Sequence, residues 1–327
     1  MKGRAVKWRA AQLRMFWYWI NERHKVYEAR KAGKPFPWTK DKILQDYKFT
    51  NPFRQHDRVT QEWVKRYITL MGGGLVQKDE DLLFHVAMFR LFNWPETYDA
   101  LRFGLPHRWN LEIAIKILHA RQAEGKKIFT GAYIIPSGGK PDKVKTIAEA
   151  LEFLWDGRDP KEMKERELKG LPQRPPNRKL FARKIRRKQS MRLATQLLQK
   201  IPTIGPFIAY EIVCDLRHTR LLSDARDKLS WANAGPGAMR GIHRLLCGSY
   251  EWPTGKEKPD YNRMMRLLLK MAPRKLSRQV RNCGTPFEMR EIEHSLCEFD
   301  KYMRLKRKEG KVRAKFTAPV QGELQWE

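Results

Sequence analysis

Ile201-Pro202-Thr203-Ile204-Gly205-Pro206 is a turn set between two apolar-faced segments, and its surroundings decide the fold. Ahead of it, Ala194, Leu197, Leu198 and Ile201 recur at i, i+3, i+4 and i+7. Behind it, Ala209, Ile212, Val213 and Leu216 repeat the same spacing. Both patterns cover one face of an α-helix, so the stretch reads as helix, glycine-containing turn, helix. Such a turn points consecutive backbone N–H groups at a helix N-terminus, where they bind a phosphate oxygen without any side chain. The plainer alternative is a packing corner between two helices.

The helical period continues outward in both directions. Leu13, Phe16, Trp17, Ile20, His24 and Tyr27 share one face of a first helix, before Gly33, Pro35 and Pro37 break the chain. A second helix is expected from Asp57, carrying Val59, Trp63, Val64, Tyr67 and Ile68. Further helices are expected near 81–93, 109–123, 142–155, 190–200, 207–217, 236–246, 260–271 and 287–307. One short strand is expected between Ile128 and Ile135. The fold class is therefore all-α or nearly so, with two helical lobes around a cleft. The expected lobes are 1–160 and 190–303, joined by a basic linker at 161–189 and followed by a basic tail at 304–327.

Composition narrows the partner. Lys and Arg total 67 against 36 Asp and Glu, a formal charge of +31 over 327 residues. An excess of that size calls for a polyanion, and nucleic acid is the commonest. An anionic membrane surface is the rival, but the cations sit among Trp, Pro and Gly and not along one clean amphipathic helix. There is no run of about 18 apolar residues, so no membrane span is expected. The basic N-terminus lacks the apolar core and cleavage site of a signal peptide. Cys214, Cys247, Cys283 and Cys297 are scattered with no CxxC pair, so neither a zinc ribbon nor an iron–sulfur loop is supported. They fit reduced core residues of a cytoplasmic protein. No GxxxxGK[ST] loop occurs, and no cofactor is expected.

Four places carry candidate chemistry. The polar segment 161–189 contains Arg183, Lys184, Arg186 and Arg187, a basic stripe for DNA phosphates or simply a solvated loop. The loop Phe49 to Arg58 packs Asn51, Arg54, Asp57 and Arg58 between aromatic residues. An Asn pairs with a uracil-type base edge, Arg grips phosphate, and aromatics stack. Trp231, Asn233 and Arg240 flank the turn Gly235-Pro236-Gly237, whose backbone suits either close approach to a phosphate or close packing. Asp224 lies nineteen residues past Gly205, with Asp227 just after it. Either carboxylate is a candidate general base beside a flipped base, and for Asp224, next to Ser223, the plainer reading is a helix cap.

The turn at 201–206 resembles the helix-hairpin-helix of DNA glycosylases, in which Thr203, Ile204 and Gly205 would face the DNA backbone. That superfamily places a catalytic Asp about twenty residues after the hairpin, which implies Asp224. Thr203 departs from the pattern, since a glycine is usual there. A wider resemblance runs from about Phe16 to Tyr302. It rests on Ile20-Asn21-Glu22-Arg23-His24, Pro37-Trp38-Thr39, Phe49-Thr50-Asn51, Arg54, Asp57-Arg58-Val59-Thr60 and Gly131-Ala132-Tyr133. Gly235-Pro236-Gly237-Ala238 with Arg240-Gly241, and Cys297-Glu298-Phe299-Asp300-Lys301-Tyr302, complete it. These stretches resemble the phage DNA base-hypermodification family of alpha-glutamyl/putrescinyl thymine pyrophosphorylases, or amino acid:DNA transferases. The helical domain of 5-hydroxymethyluracil DNA kinases is similar. The resemblance implies a glycosylase-like fold acting in the host cytoplasm on double-stranded DNA that carries phosphorylated 5-hydroxymethyl-2'-deoxyuridine. An amine, either an amino acid such as glycine or a polyamine, would displace the phosphate or pyrophosphate. The alternatives are a DNA N-glycosylase, a non-catalytic DNA-binding protein and a 5-hydroxymethyluracil kinase, the last needing a phosphate-cradling loop from another chain.

Overall fold

Helical periodicity is realised throughout the computed structural model, which describes residues 6–74, 76–105, 108–131, 138–310 and 315–316. The chain opens with α1 (Ala10–Lys31) and α2 (Lys42–Asp46), then a 3-10 turn at Arg54–His56. Next come α3 (Arg58–Gly72), α4 (Asp79–Phe92), α5 (Pro95–Gly104), α6 (Leu111–Ala123), α7 (Lys143–Trp155), α8 (Pro160–Leu168) and α9 (Asn177–Lys188). α10 (Met191–Leu198) and α11 (Pro206–Leu216) flank the turn that holds Ile201, Thr203 and Gly205. α12 (Pro236–Cys247), α13 (Tyr261–Lys275), α14 (Arg278–Arg281) and α15 (Met289–Lys306) follow. No strand occurs among the described residues, and the only bridge between them is an isolated one, Tyr47 to Lys315. The strand expected at 128–135 is absent at 128–131, and its remainder, with Ala132 and Tyr133, lies outside the described residues.

The chain forms two compact units. One comprises Met1–Arg58 with Lys228–Glu327; the other is Val59–Asp227. This differs from the expected lobes at 1–160 and 190–303, because the chain leaves the first unit at Arg58 and rejoins it at Lys228. The expected linker at 161–189 folds as α8 and α9. Phe181, Ala182 and Ile185 bury one narrow face of α9, and the Arg178 guanidinium lies 3.7 Å over the Trp155 ring. The basic tail also begins inside a helix, since α15 runs to Lys306, and the Phe316 amide returns to donate to the Asp46 carbonyl at 2.8 Å. Residues 311–314 and 317–327 lie outside the described residues.

In the first unit α12 packs along α15, with α1 and α13 against them. Phe16, Trp19, Ile20, Ile242, Leu245, Ile292, Leu296 and Phe299 have no exposed surface. Each such side chain contributes about 1.5–3 kcal/mol by leaving water. The approach of α12 to α15 depends on two glycines one turn apart. A Cβ on Gly237 would fall 2.3 Å from Cys297 Sγ, and one on Gly241 would fall 2.4 Å from the Leu296 carbonyl oxygen. The turn read as a possible phosphate approach is thus, at Gly237, a helix-packing contact.

The second unit is centred on α4, whose Leu82, Leu83, Phe84, Val86, Ala87, Met88, Phe89, Leu91 and Phe92 are buried. A helix apolar on every side belongs in a core, and α5, α7, α9 and α11 surround it. Arg90 crosses from α4 to α11, donating from Nε to Asp215 Oδ2 at 2.6 Å and from Nη2 to Oδ1 at 2.5 Å. Both side chains are almost fully buried, so the bidentate pair lets each charge satisfy the other. Asp215 is thereby a structural carboxylate.

Candidate functional site

In the first unit, α15 gathers two clusters that are far apart in sequence. Along one row it meets the loop before α3. Thr50 N donates to Glu298 Oε2 at 3.2 Å, Lys301 Nζ donates to the Lys48 carbonyl at 2.5 Å, and His294 faces Arg54 and Asp57. Along the adjacent row it meets α12. Gly235 N donates to Glu293 Oε1 at 3.2 Å, Gly237 abuts Cys297, and Arg240 Nε donates to Asp300 Oδ2 at 2.7 Å. Residues 293, 297 and 300, and residues 294, 298 and 301, are neighbouring i, i+4 and i+7 rows of one helix.

The loop is held from within. Asn51 N donates to Asp57 Oδ1 at 2.8 Å, and Asn51 Nδ2 donates to the His56 carbonyl at 2.8 Å. Arg23, 7 % exposed, donates twice to the Phe49 carbonyl. Arg54 Nη1 lies 3.3 Å from His294 Nδ1. On the other side of the same ring, Nε2 lies 3.5 Å from Asp57 Oδ2. Burial alone would raise the Asp57 pKa. His294, Arg54 and the Asn51 amide outweigh it and hold the carboxyl below its ordinary range. Asn51, 8 % exposed, keeps its Oδ1 buried and without a partner.

Behind this loop stands an aromatic stack. The Tyr27 and His56 rings are parallel at 4.4 Å, His24 stacks on His56 at 5.9 Å, and Phe53 meets both histidines edge-on or tilted. Burial pushes the His56 pKa down to about 4, helped by His24 beside it, and burial lowers that of His24. Burial thus favours the neutral form of both rings.

The other sequence-derived positions fall as follows. Arg58 is exposed at the start of α3, and Trp231 and Asn233 are half-buried on the approach to α12. Arg240 has its Nε tied to Asp300, which also accepts from the fully buried Arg244 at 2.8 Å, so its orientation is set while 36 % of its side chain stays exposed. In the second unit Arg183, Lys184, Arg186 and Arg187 all project from the exposed side of α9. Thr203 adopts a left-handed φ of 66°, the conformation a glycine would take without strain, and its Oγ1 is buried without a partner. Gly205 is the N-cap of α11, with no side chain capping that terminus. Gly235 begins α12 in the same way, followed like Gly205 by a proline.

The two aspartates differ. Asp227 caps α10: Oδ1 accepts from Met191 N at 2.8 Å, while Oδ2 accepts from Ser190 Oγ at 2.8 Å and Arg192 N at 3.0 Å. Asp224 is exposed, accepts from Ser223 Oγ at 3.2 Å, and begins no helix. Both belong to the second unit, not to the α15 cluster. His294 and Glu293 lie in no local motif of the sequence, and Asp300, though inside the stretch 297–302, has no role assigned by it. Their only signal is polarity on the inward faces of an otherwise apolar-stripe helix.

A family model described as the helical domain of 5-hmdU DNA kinase matches residues 10–312. A 5-hmdU DNA kinase of Bacillus phage SP10 is 30% identical over 247 residues, which cover 70% of this chain and 36% of that protein. The chain therefore spans about a third of the length of this curated relative. No solved structure matches it. No helix among the described residues is long and apolar enough to cross a membrane.

Proposed function

The chain belongs to the family of the 5-hmdU DNA kinase helical domain, and from that premise we propose that it modifies thymine-derived bases in duplex DNA. The step we assign is displacement of the phosphate or pyrophosphate on 5-hydroxymethyl-2'-deoxyuridine by an amine. The amine lone pair forms a C–N bond to the 5-methylene carbon. The C–O bond to the leaving group breaks, and phosphate or pyrophosphate departs with that electron pair. The proton lost from nitrogen passes to a carboxylate.

The observation that carries this reading is the convergence on α15 of the Asn51–Arg54–Asp57 loop and of Arg240. The unpartnered Asn51 Oδ1 is an acceptor suited to the N3–H of a uracil ring turned out of the duplex. Arg240, oriented by Asp300, suits the leaving phosphate, as do Arg54 and Arg58. Two carboxylates are candidates for the proton acceptor: Glu293 on the α15 strip, and Asp224, which has the spacing that the helix-hairpin-helix resemblance implies but belongs to the other unit. α9 and the turn at Thr203, Ile204 and Gly205 supply DNA-backbone contacts in this reading.

The test is mass spectrometry of nucleosides from phosphorylated 5-hydroxymethyluracil DNA incubated with the chain and glycine or putrescine. An aminomethyl-linked nucleoside is the expected product; an abasic site would instead identify a glycosylase. Because the matching family is one domain of a larger kinase, a second reading is a DNA-presenting module for a kinase on another chain. In that case the chain alone converts nothing but accelerates phosphorylation of the DNA by such a kinase.

A further inference from the structure

From Tyr261 to Phe287 the sequence has seven Lys and Arg and no Asp or Glu. At about 100° per residue, Arg263, Arg266, Lys270 and Arg274 of α13 share one face. Met264, Met265, Leu268 and Ala272, on the opposite side, are buried. Arg263, Lys270 and Arg274 are exposed. Arg266, at the edge, donates to the Ser230 carbonyl at 2.9 Å and lies 3.8 Å from Asp260. Arg278 and Arg281 on α14 are also exposed and extend the basic run. Like charges three and four residues apart repel one another, and no carboxylate within the stretch relieves them.

We infer that this face of α13, continued by α14, is a second DNA-backbone surface, carried by the unit that holds the α15 cluster. Arg263 to Arg274 spans about 16 Å of helix, the length of about five phosphates along one strand. α13 packs its apolar face on α15, so a duplex lying on α13 is held by the same unit that would receive the base. A membrane surface fits less well, because the apolar residues of α13 are turned to the core and leave no face to insert. The inference rests on the proposed function only in taking DNA as the partner.

The experiment uses the full chain and an unmodified duplex, comparing wild type with the combined variant Arg263→Gln, Lys270→Gln, Arg274→Gln. The slope of log affinity against log salt should become shallower by about 2.7, so the loss of affinity between about 50 and 200 mM salt shrinks about fortyfold. The melting temperature should not change. A slope equal to wild type overturns the surface. So does an equal effect from Lys25→Gln, Lys65→Gln and Lys116→Gln, which would report net charge alone. Loss of binding to anionic vesicles but not to DNA also overturns it, in favour of a membrane. Because the duplex carries no modified base, the result stands apart from the transfer reaction. A chain that passes here yet makes no product keeps the surface and loses the proposed activity.

Discussion

Asp224 and Asp227 are three residues apart and answer to different physics. Asp227 accepts three hydrogen bonds at the start of α10, so Asp227→Ala should cost about 0.5–2 kcal/mol of stability. Asp224→Ala, on an exposed turn, should cost less than about 0.5 kcal/mol. Thermal melts of both variants check this, and single-turnover rates on the same preparations show whether Asp224 also carries the proton. A normal rate for Asp224→Ala would move that role to Glu293. Thr203 offers a second measurement. Its left-handed φ costs an L-residue about 1–2 kcal/mol, and its hydroxyl is buried without a partner. Thr203→Gly should therefore raise the melting temperature despite the extra freedom of the unfolded chain, and should preserve DNA binding. A lower melting temperature would mean that the Thr203 methyl packing outweighs the strain.

Helix contacts decide what the sequence could and could not disclose. Gly241 approaches a backbone carbonyl of α15, whereas Gly237 approaches a cysteine side chain that can turn away. Gly241→Ala should destabilise by about 1–3 kcal/mol through overpacking, even though alanine favours helix. Gly237→Ala should cost less, and denaturant melts that rank the two the other way would contradict the close approach. Most helices were legible because their apolar faces repeat at the helical period. α9 was not: three buried apolar positions among so many cations make too narrow a stripe, so it read as a linker. Of the α15 arrangement, Asn51, Arg54, Asp57 and Arg240 were each legible as candidates from residue chemistry, though not as neighbours. Its organiser was not, since His294 and Asp300 stand far along the chain from the loop they hold, and only folding brings them together.

Across the whole molecule, acidity should act on the histidine stack. Burial lowers the pKa of both His24 and His56 in the fold, that of His56 to about 4, whereas an unfolded histidine takes a proton near pH 6.5. The unfolded chain thus binds more protons between about pH 6.5 and 4. Stability is complete above that window and declines as pH falls through it. Melting temperatures should drop from pH 7 to pH 5, and His56→Gln should flatten the drop; a flat wild-type profile would show that these rings do not set it. The lowered pKa of Asp57 acts separately, removing stability only below the ordinary carboxylate range. The route of the chain has its own consequence. The first unit is left at Arg58 and resumed at Lys228, with the whole of the second unit between. A ribosome emitting about 5–20 residues each second completes the second unit while α1 still waits for α12 and α15. During that interval Phe16 lacks Phe299, the ring it meets edge-on in the fold, so the apolar face of the nascent first helix stays in water until the last helix is made.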